Sequence, residues 1–160
     1  KKIYNNLYIE KNILLAALLI DEKDSHEYFA HKYNIANNIK ETLTLLARDL
    51  KLLRENKDFF GKDLEKNIYL KNKNYLINLN IINFVNNTKY KFKDFYETSK
   101  RILQSKLHHF PIDGKYLIQN GMKEGSTLGK VLKMIEDEWI NNSFKISNDR
   151  IKEIIQLNSN

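Results

Sequence analysis

Apolar positions recur every three or four residues along most of this 160-residue chain, the period of helices that bury one face. Residues 8–20 are apolar on nearly every side, so the pattern predicts a helix central in the fold. Ser25, Tyr28, Phe29 and Tyr33 suggest a short second helix. Asn34 is a candidate N-cap for a long one carrying Ile35, Ile39, Leu43, Leu46, Leu50 and Leu53, which should end near Gly61. Residues 62–87 continue the period through Leu64, Ile68, Leu76, Leu79, Ile82 and Phe84, with asparagine-rich interruptions. Residues 89–109 predict another helix, with Phe92, Phe95, Tyr96, Ile102 and Leu103 as its apolar members. The expected fold is all-α, with about seven or eight helices.

The stretch from Phe110 to Phe144 is punctuated differently, holding the only proline, four of the five glycines and the only tryptophan. Phe110-Pro111-Ile112 reads as an extended entry, because proline disfavours helix in the residue before it. Asp113 caps a short helix over Lys115–Gln119. Asn120-Gly121 stops it, with Gly121 in the left-handed conformation and Met122 packing back. Gly125-Ser126-Thr127 opens a further helix to about Asn141, with Ser126 or Thr127 as N-cap and Leu128, Val131, Leu132, Ile135, Trp139 and Ile140 on its apolar face. Gly129 inside it costs about 1 kcal/mol relative to alanine and suggests a second backbone passing close by, with tolerated drift as the alternative. No proline-, glycine- or serine-rich linker splits the chain, so one compact unit is expected, a helical body, 1–109, with a glycine-punctuated helix-hairpin tail, 110–160, packed on it.

Composition narrows the chemistry. The chain has no cysteine, which excludes disulfides, thiolate zinc sites and cysteine nucleophiles. Its net charge is +7, a balance that attracts polyanions. Lys, Asn and Ile supply 63 residues, so A- and T-rich codons alone would raise the lysine count. Distribution is more telling than the total. Residues 1–61 carry 10 positive and 9 negative side chains, residues 62–115 carry 11 and 5, and residues 116–160 carry 6 and 6. The longest apolar run, Ile13–Ile20, has eight residues, whereas a membrane-spanning helix needs about 20. Acidic residues follow it in place of a leader's cleavage site. A cytoplasmic location without membrane contact is the expectation.

Candidate binding chemistry gathers around the excess charge. Lys89, Lys91, Lys93, Lys100, Arg101 and Lys106 lie on one predicted helix, although Lys100 and Arg101 cannot point the same way. In the tail, the helix start at Gly125, Ser126 and Thr127 offers free N–H groups to a phosphate, with Lys115, Lys123 and Lys130 close in sequence. An ordinary hairpin with solvated lysines fits those residues as well. Tyr90, Phe92 and Tyr96 are spaced for a helix core, with base stacking as the alternative. The four histidines follow no metal-ligand spacing, and Glu136-Asp137-Glu138 spreads around a helix rather than converging. No catalytic or metal-binding residue is assigned.

The tail's wording is itself informative. Phe110-Pro111-Ile112-Asp113-Gly114-Lys115, Gly121-Met122-Lys123-Glu124-Gly125, Leu128-Gly129-Lys130-Val131-Leu132, Glu136 and Trp139-Ile140 together resemble the C-terminal part of bacterial class II CCA-adding tRNA nucleotidyltransferases and their poly(A) polymerase relatives. Tyr116 stands where that family has Asp, and Glu124 where it has Pro. The dense match covers roughly 30 residues, and residues 1–109 fit only as the helical body that precedes the motif. The resemblance implies that catalysis, Mg and CTP or ATP belong to an N-terminal head and neck. This chain lacks an Asp-x-Asp pair and begins at Lys1, so it reads as a fragment without that head, inactive alone. Its implied role is to grip the tRNA acceptor and TΨC arms through their backbone, as A-form RNA favours. CCA addition and poly(A) addition stay open as activities of the parent enzyme. A helical structural or protein-interaction module without an RNA role is the competing class.

Overall fold

In the computed structural model, which describes residues 11–21 and 23–158, every regular element is helical. Among the described residues nine helices follow in order: α1 Lys11–Leu19, α2 Ser25–Lys32, α3 Asn37–Glu55, α4 Leu64–Lys71, α5 Lys73–Asn86, α6 Phe92–Gln104, α7 Gly114–Gln119, α8 Ser126–Asn141 and α9 Asn148–Asn158. The all-α reading holds. No helix among the described residues is long and apolar enough to cross a membrane.

The chain divides into two compact units, Lys1–Lys106 and Leu107–Asn160. In the first, α5 is the hub, packing against α1, α3, α4 and α6. Leu43, Leu46 and Leu50 of α3 meet Leu76, Leu79 and Ile82 of α5 in a core that also takes Ile68 and Ile102. Burying such side chains contributes roughly 1.5–3 kcal/mol each. In the second unit, α8 packs on α7 and α9. Its core joins Leu117, Met122, Val131, Ile135, Ile151, Ile154 and Ile155.

Several boundaries and burials differ from the sequence expectation, each for a local reason. Within α1, Ile13 and Ala16 are buried, but Leu14 is 60% and Leu18 82% exposed, so the helix buries one side and is not central. Residues 8–10 of that predicted helix lie outside the described residues. Helix α3 is entered from Ala36, while Asn34 takes a left-handed turn at φ 45° and caps nothing. It ends at Glu55, because Asn56 turns extended and its side chain accepts from the Asp58 N–H at 2.8 Å. The asparagine-rich interruption resolves to Asn72. There the backbone takes φ 67°, ψ 161°, and the side chain caps α5 by accepting from the Tyr75 N–H at 2.9 Å.

The tail follows its glycines closely. The Asp113 carboxylate accepts from the Tyr116 N–H at 2.9 Å and starts α7. Gly121 takes φ 102°, and the Met122 N–H donates back to the Leu117 carbonyl at 3.1 Å. The N-cap of α8 is Gly125, at φ 149°, and neither Ser126 nor Thr127 acts as cap, because both already lie in the first turn. A Cβ placed on Gly129 would meet nothing within 4 Å, so no second backbone approaches it. The close approach is at Gly114, where a Cβ would stand 3.2 Å from Leu128 Cδ2.

Candidate nucleic-acid interface

Helix α6 has two unlike sides. Phe95, Ser99 and Ile102 are buried. Helical geometry places Lys93, Glu97, Lys100, Arg101 and Gln104 on the opposite side. Lys93 and Lys100, two turns apart, share a direction, with Lys93 exposed and Lys100 half-buried. Arg101 lies a quarter-turn further round, exposed, its Nη2 3.5 Å from the Gly61 carbonyl. Three cations therefore stand with two carboxylates, Glu97 and Asp94, the latter two turns before Arg101 on the same side of the helix.

The other members of the predicted set are not on the helix. Lys89 and Lys91 precede it, because Lys91 is extended at ψ 160° and its N–H donates to Asp94 Oδ2 at 3.3 Å, fixing the helix start. Both side chains are exposed, and Lys91 Nζ reaches the Thr88 carbonyl at 3.0 Å. The helix stops at Gln104, where Ser105 turns extended and its hydroxyl donates to the Arg101 carbonyl at 2.7 Å, so Lys106 lies beyond the end. The predicted helix 89–109 is thus shortened at both ends to the 13 residues of α6.

A buried polar network holds this region in shape. Asn80, with no exposed surface, donates to Ser99 Oγ at 2.9 Å and to the Phe95 carbonyl at 3.1 Å. The Tyr90 hydroxyl donates towards Asn80 Oδ1 at 2.9 Å and lies 2.8 Å from Thr98 Oγ1. Burial raises the Tyr90 pKa above its ordinary value. The Lys89–Lys91 segment is therefore tied to both α5 and α6 through one phenol.

Sequence reasoning missed Lys62. A cavity of about 370 Å³ beside the end of α6 is lined by Gly61, Lys62, Glu65, Arg101, Gln104 and Ser105. It forms because residues 61–65 fold back on a segment forty positions later, which no local pattern announces. Another cavity, of about 480 Å³, sets Arg48, Lys51 and Arg54 of α3 against Asp21, Asp24 and Glu27, so its charges balance.

In the second unit, Lys115 is on α7, Lys123 in the turn after it and Lys130 on α8. All three are exposed, as are Gly125, Ser126 and Thr127. The opening of α8 carries no side-chain cap. The acidic run is engaged elsewhere: Lys133 pairs with Glu136 at 3.1 Å and Asp137 at 3.0 Å, and Arg150 binds Glu138 at 2.8 Å. No three His, Asp or Glu side chains among the described residues gather to hold a metal ion.

Comparison of the chain with protein-family models, curated proteins and solved structures finds no match.

Proposed function

We propose that this chain is the RNA-gripping C-terminal part of a class II tRNA nucleotidyltransferase, holding the acceptor/TΨC arm of tRNA through its sugar-phosphate backbone. The observation that carries the reading is the solvent side of α6, where Lys93, Lys100 and Arg101 stand away from the core with Lys89 and Lys91 just before the helix. Phosphate-directed cations on a rigid helix suit A-form RNA, whose base edges are hidden and whose shape and backbone are read instead. The tail goes with the same reading: Gly121 and Gly125, part of the wording that resembles the family, lie between the end of α7 and the start of α8. Nucleotide addition itself, to CCA or to poly(A), belongs to the head that the resemblance implies.

The test is salt-dependent binding of an acceptor–TΨC minihelix, read by fluorescence anisotropy. Wild type binds, and Lys93→Glu, Lys100→Glu and Arg101→Glu combined lower the slope of log affinity against log salt by about 2–3, at 0.7–0.9 per lost phosphate contact. Helicity by circular dichroism stays the same. A wild-type chain that ignores the minihelix at 20 mM salt would sink the proposal.

A further inference from the structure

The residue on which the α6 region departs most from its sequence reading is Phe92. Its spacing assigns it to a helix core, yet it is 60% exposed. The helix explains the position: Phe92 is the first residue of α6, and the buried side is held by Phe95, Ser99 and Ile102. It is nonetheless not adrift. Its ring stands 6.2 Å from Phe84 at 67°, 6.2 Å from Phe95 at 42° and 6.5 Å from Tyr96 at 33°. Phe84 and Phe95 stack on each other at 4.9 Å beneath it. Phe92 is the solvent end of a four-ring cluster.

The surroundings specify the occupant. Lys91 and Lys93 flank the ring in sequence, Lys89 precedes them, and all three are exposed. The nearby Asp94 carboxylate accepts the Lys91 N–H at the helix start. An exposed aromatic ring bracketed by cations matches the repeat of a single nucleic-acid strand, a flat base beside a phosphate.

We propose that Phe92 is a stacking platform for one unpaired RNA base, with Lys89, Lys91 and Lys93 holding the adjoining phosphates. The inference rests on the RNA-binding reading and adds a base contact to what is otherwise backbone recognition. It also gives the Tyr90–Asn80–Thr98 network a role, since that network fixes the strand of chain from which the lysines and the ring project.

The test uses the whole chain with two probes at equal ionic strength: fluorescein-labelled oligo(A) of twelve nucleotides, and inorganic polyphosphate as competitor. Phe92→Leu keeps an apolar side chain for packing and removes the π-face. It should weaken oligo(A) binding roughly five- to hundredfold, the range for loss of one stacked base. Polyphosphate affinity should stay within about twofold, and Phe92→Trp should restore oligo(A) binding. Oligo(A) affinity of Phe92→Leu within twofold of wild type overturns the platform. Equal loss of both probes also overturns it, because the ring then acts through the fold. A wild-type chain that binds neither probe refutes the RNA reading as a whole, whereas intact salt-dependent binding with an indifferent Phe92 refutes only the platform.

Discussion

At Asp49, a carboxylate with no exposed side-chain surface receives Lys71 Nζ at 2.6 Å and the Tyr75 hydroxyl at 2.7 Å, while Arg48 Nε approaches at 3.1 Å. Burial alone would raise its pKa, but the hydrogen bonds from Lys71 and Tyr75 outweigh burial and hold it below the usual aspartate value. Tyr75 is pushed the other way, first by burial and then by the carboxylate it donates to. Because the folded pKa lies below the unfolded one, the contribution is present above about pH 4 and fades as pH falls through the folded value. Asp49→Asn leaves Lys71 without its counter-charge at a largely buried site, which should cost about 3 kcal/mol. Thermal melting at pH 7 should then drop by roughly 13 °C, given the size of the first unit. The gap between wild type and variant should narrow as pH is lowered from 5 towards 2. A gap that stays constant over that range would show that the loss does not depend on the charge of Asp49.

At the scale of single helices, two glycines ten residues or less apart should respond with opposite signs. Gly121 sits at φ 102°, and a Cβ there would meet nothing within 4 Å, so Gly121→Ala costs backbone strain alone, about 1–2 kcal/mol. Gly129 lies inside α8 with open space around it, and Gly129→Ala should stabilise by about 1 kcal/mol. Urea denaturation followed at Trp139 measures both, and equal signs would contradict the assignment. These two positions also show what the sequence could and could not disclose. A helix that stops in a left-handed residue favours glycine there, so the turn at Gly121 after Asn120 was readable. Gly129 had two readings, close packing or tolerance, and only the neighbouring chain could decide. Helix α9 was overlooked, although Ile151, Ile154 and Ile155 carry the period and the Ser147 hydroxyl accepts from the Arg150 N–H at 3.2 Å. The corner at Asn72 was hidden for another reason, since nearby asparagines of equal capping ability surround it. Lys62 joined the candidate surface only through a fold-back, and Phe92 left the core only because α6 begins at it.

Taken as a whole, the chain keeps its charge in one place. Residues 1–106 carry 20 basic and 13 acidic side chains, a net +7, while residues 107–160 carry 7 and 7. On the proposed RNA-binding reading, affinity should therefore answer more strongly to the first unit. Reversing Lys115, Lys123 and Lys130 to Glu together should change the salt slope of minihelix binding by less than reversing Lys93, Lys100 and Arg101. The opposite ranking would move the main phosphate contacts to the opening of α8. The aromatic residues are divided just as unevenly. Trp139, the only tryptophan, lies 4.9 Å from Phe144 and 5.3 Å from Phe110, ring centre to ring centre, in the second unit. Eight of the nine tyrosines fall in the first unit. Light at 295 nm therefore excites an emitter that reports on one unit, while tyrosine absorbance reports chiefly on the other. The chain carries its own two-colour label, and melting curves in the two channels will superimpose only if both units unfold in a single cooperative step.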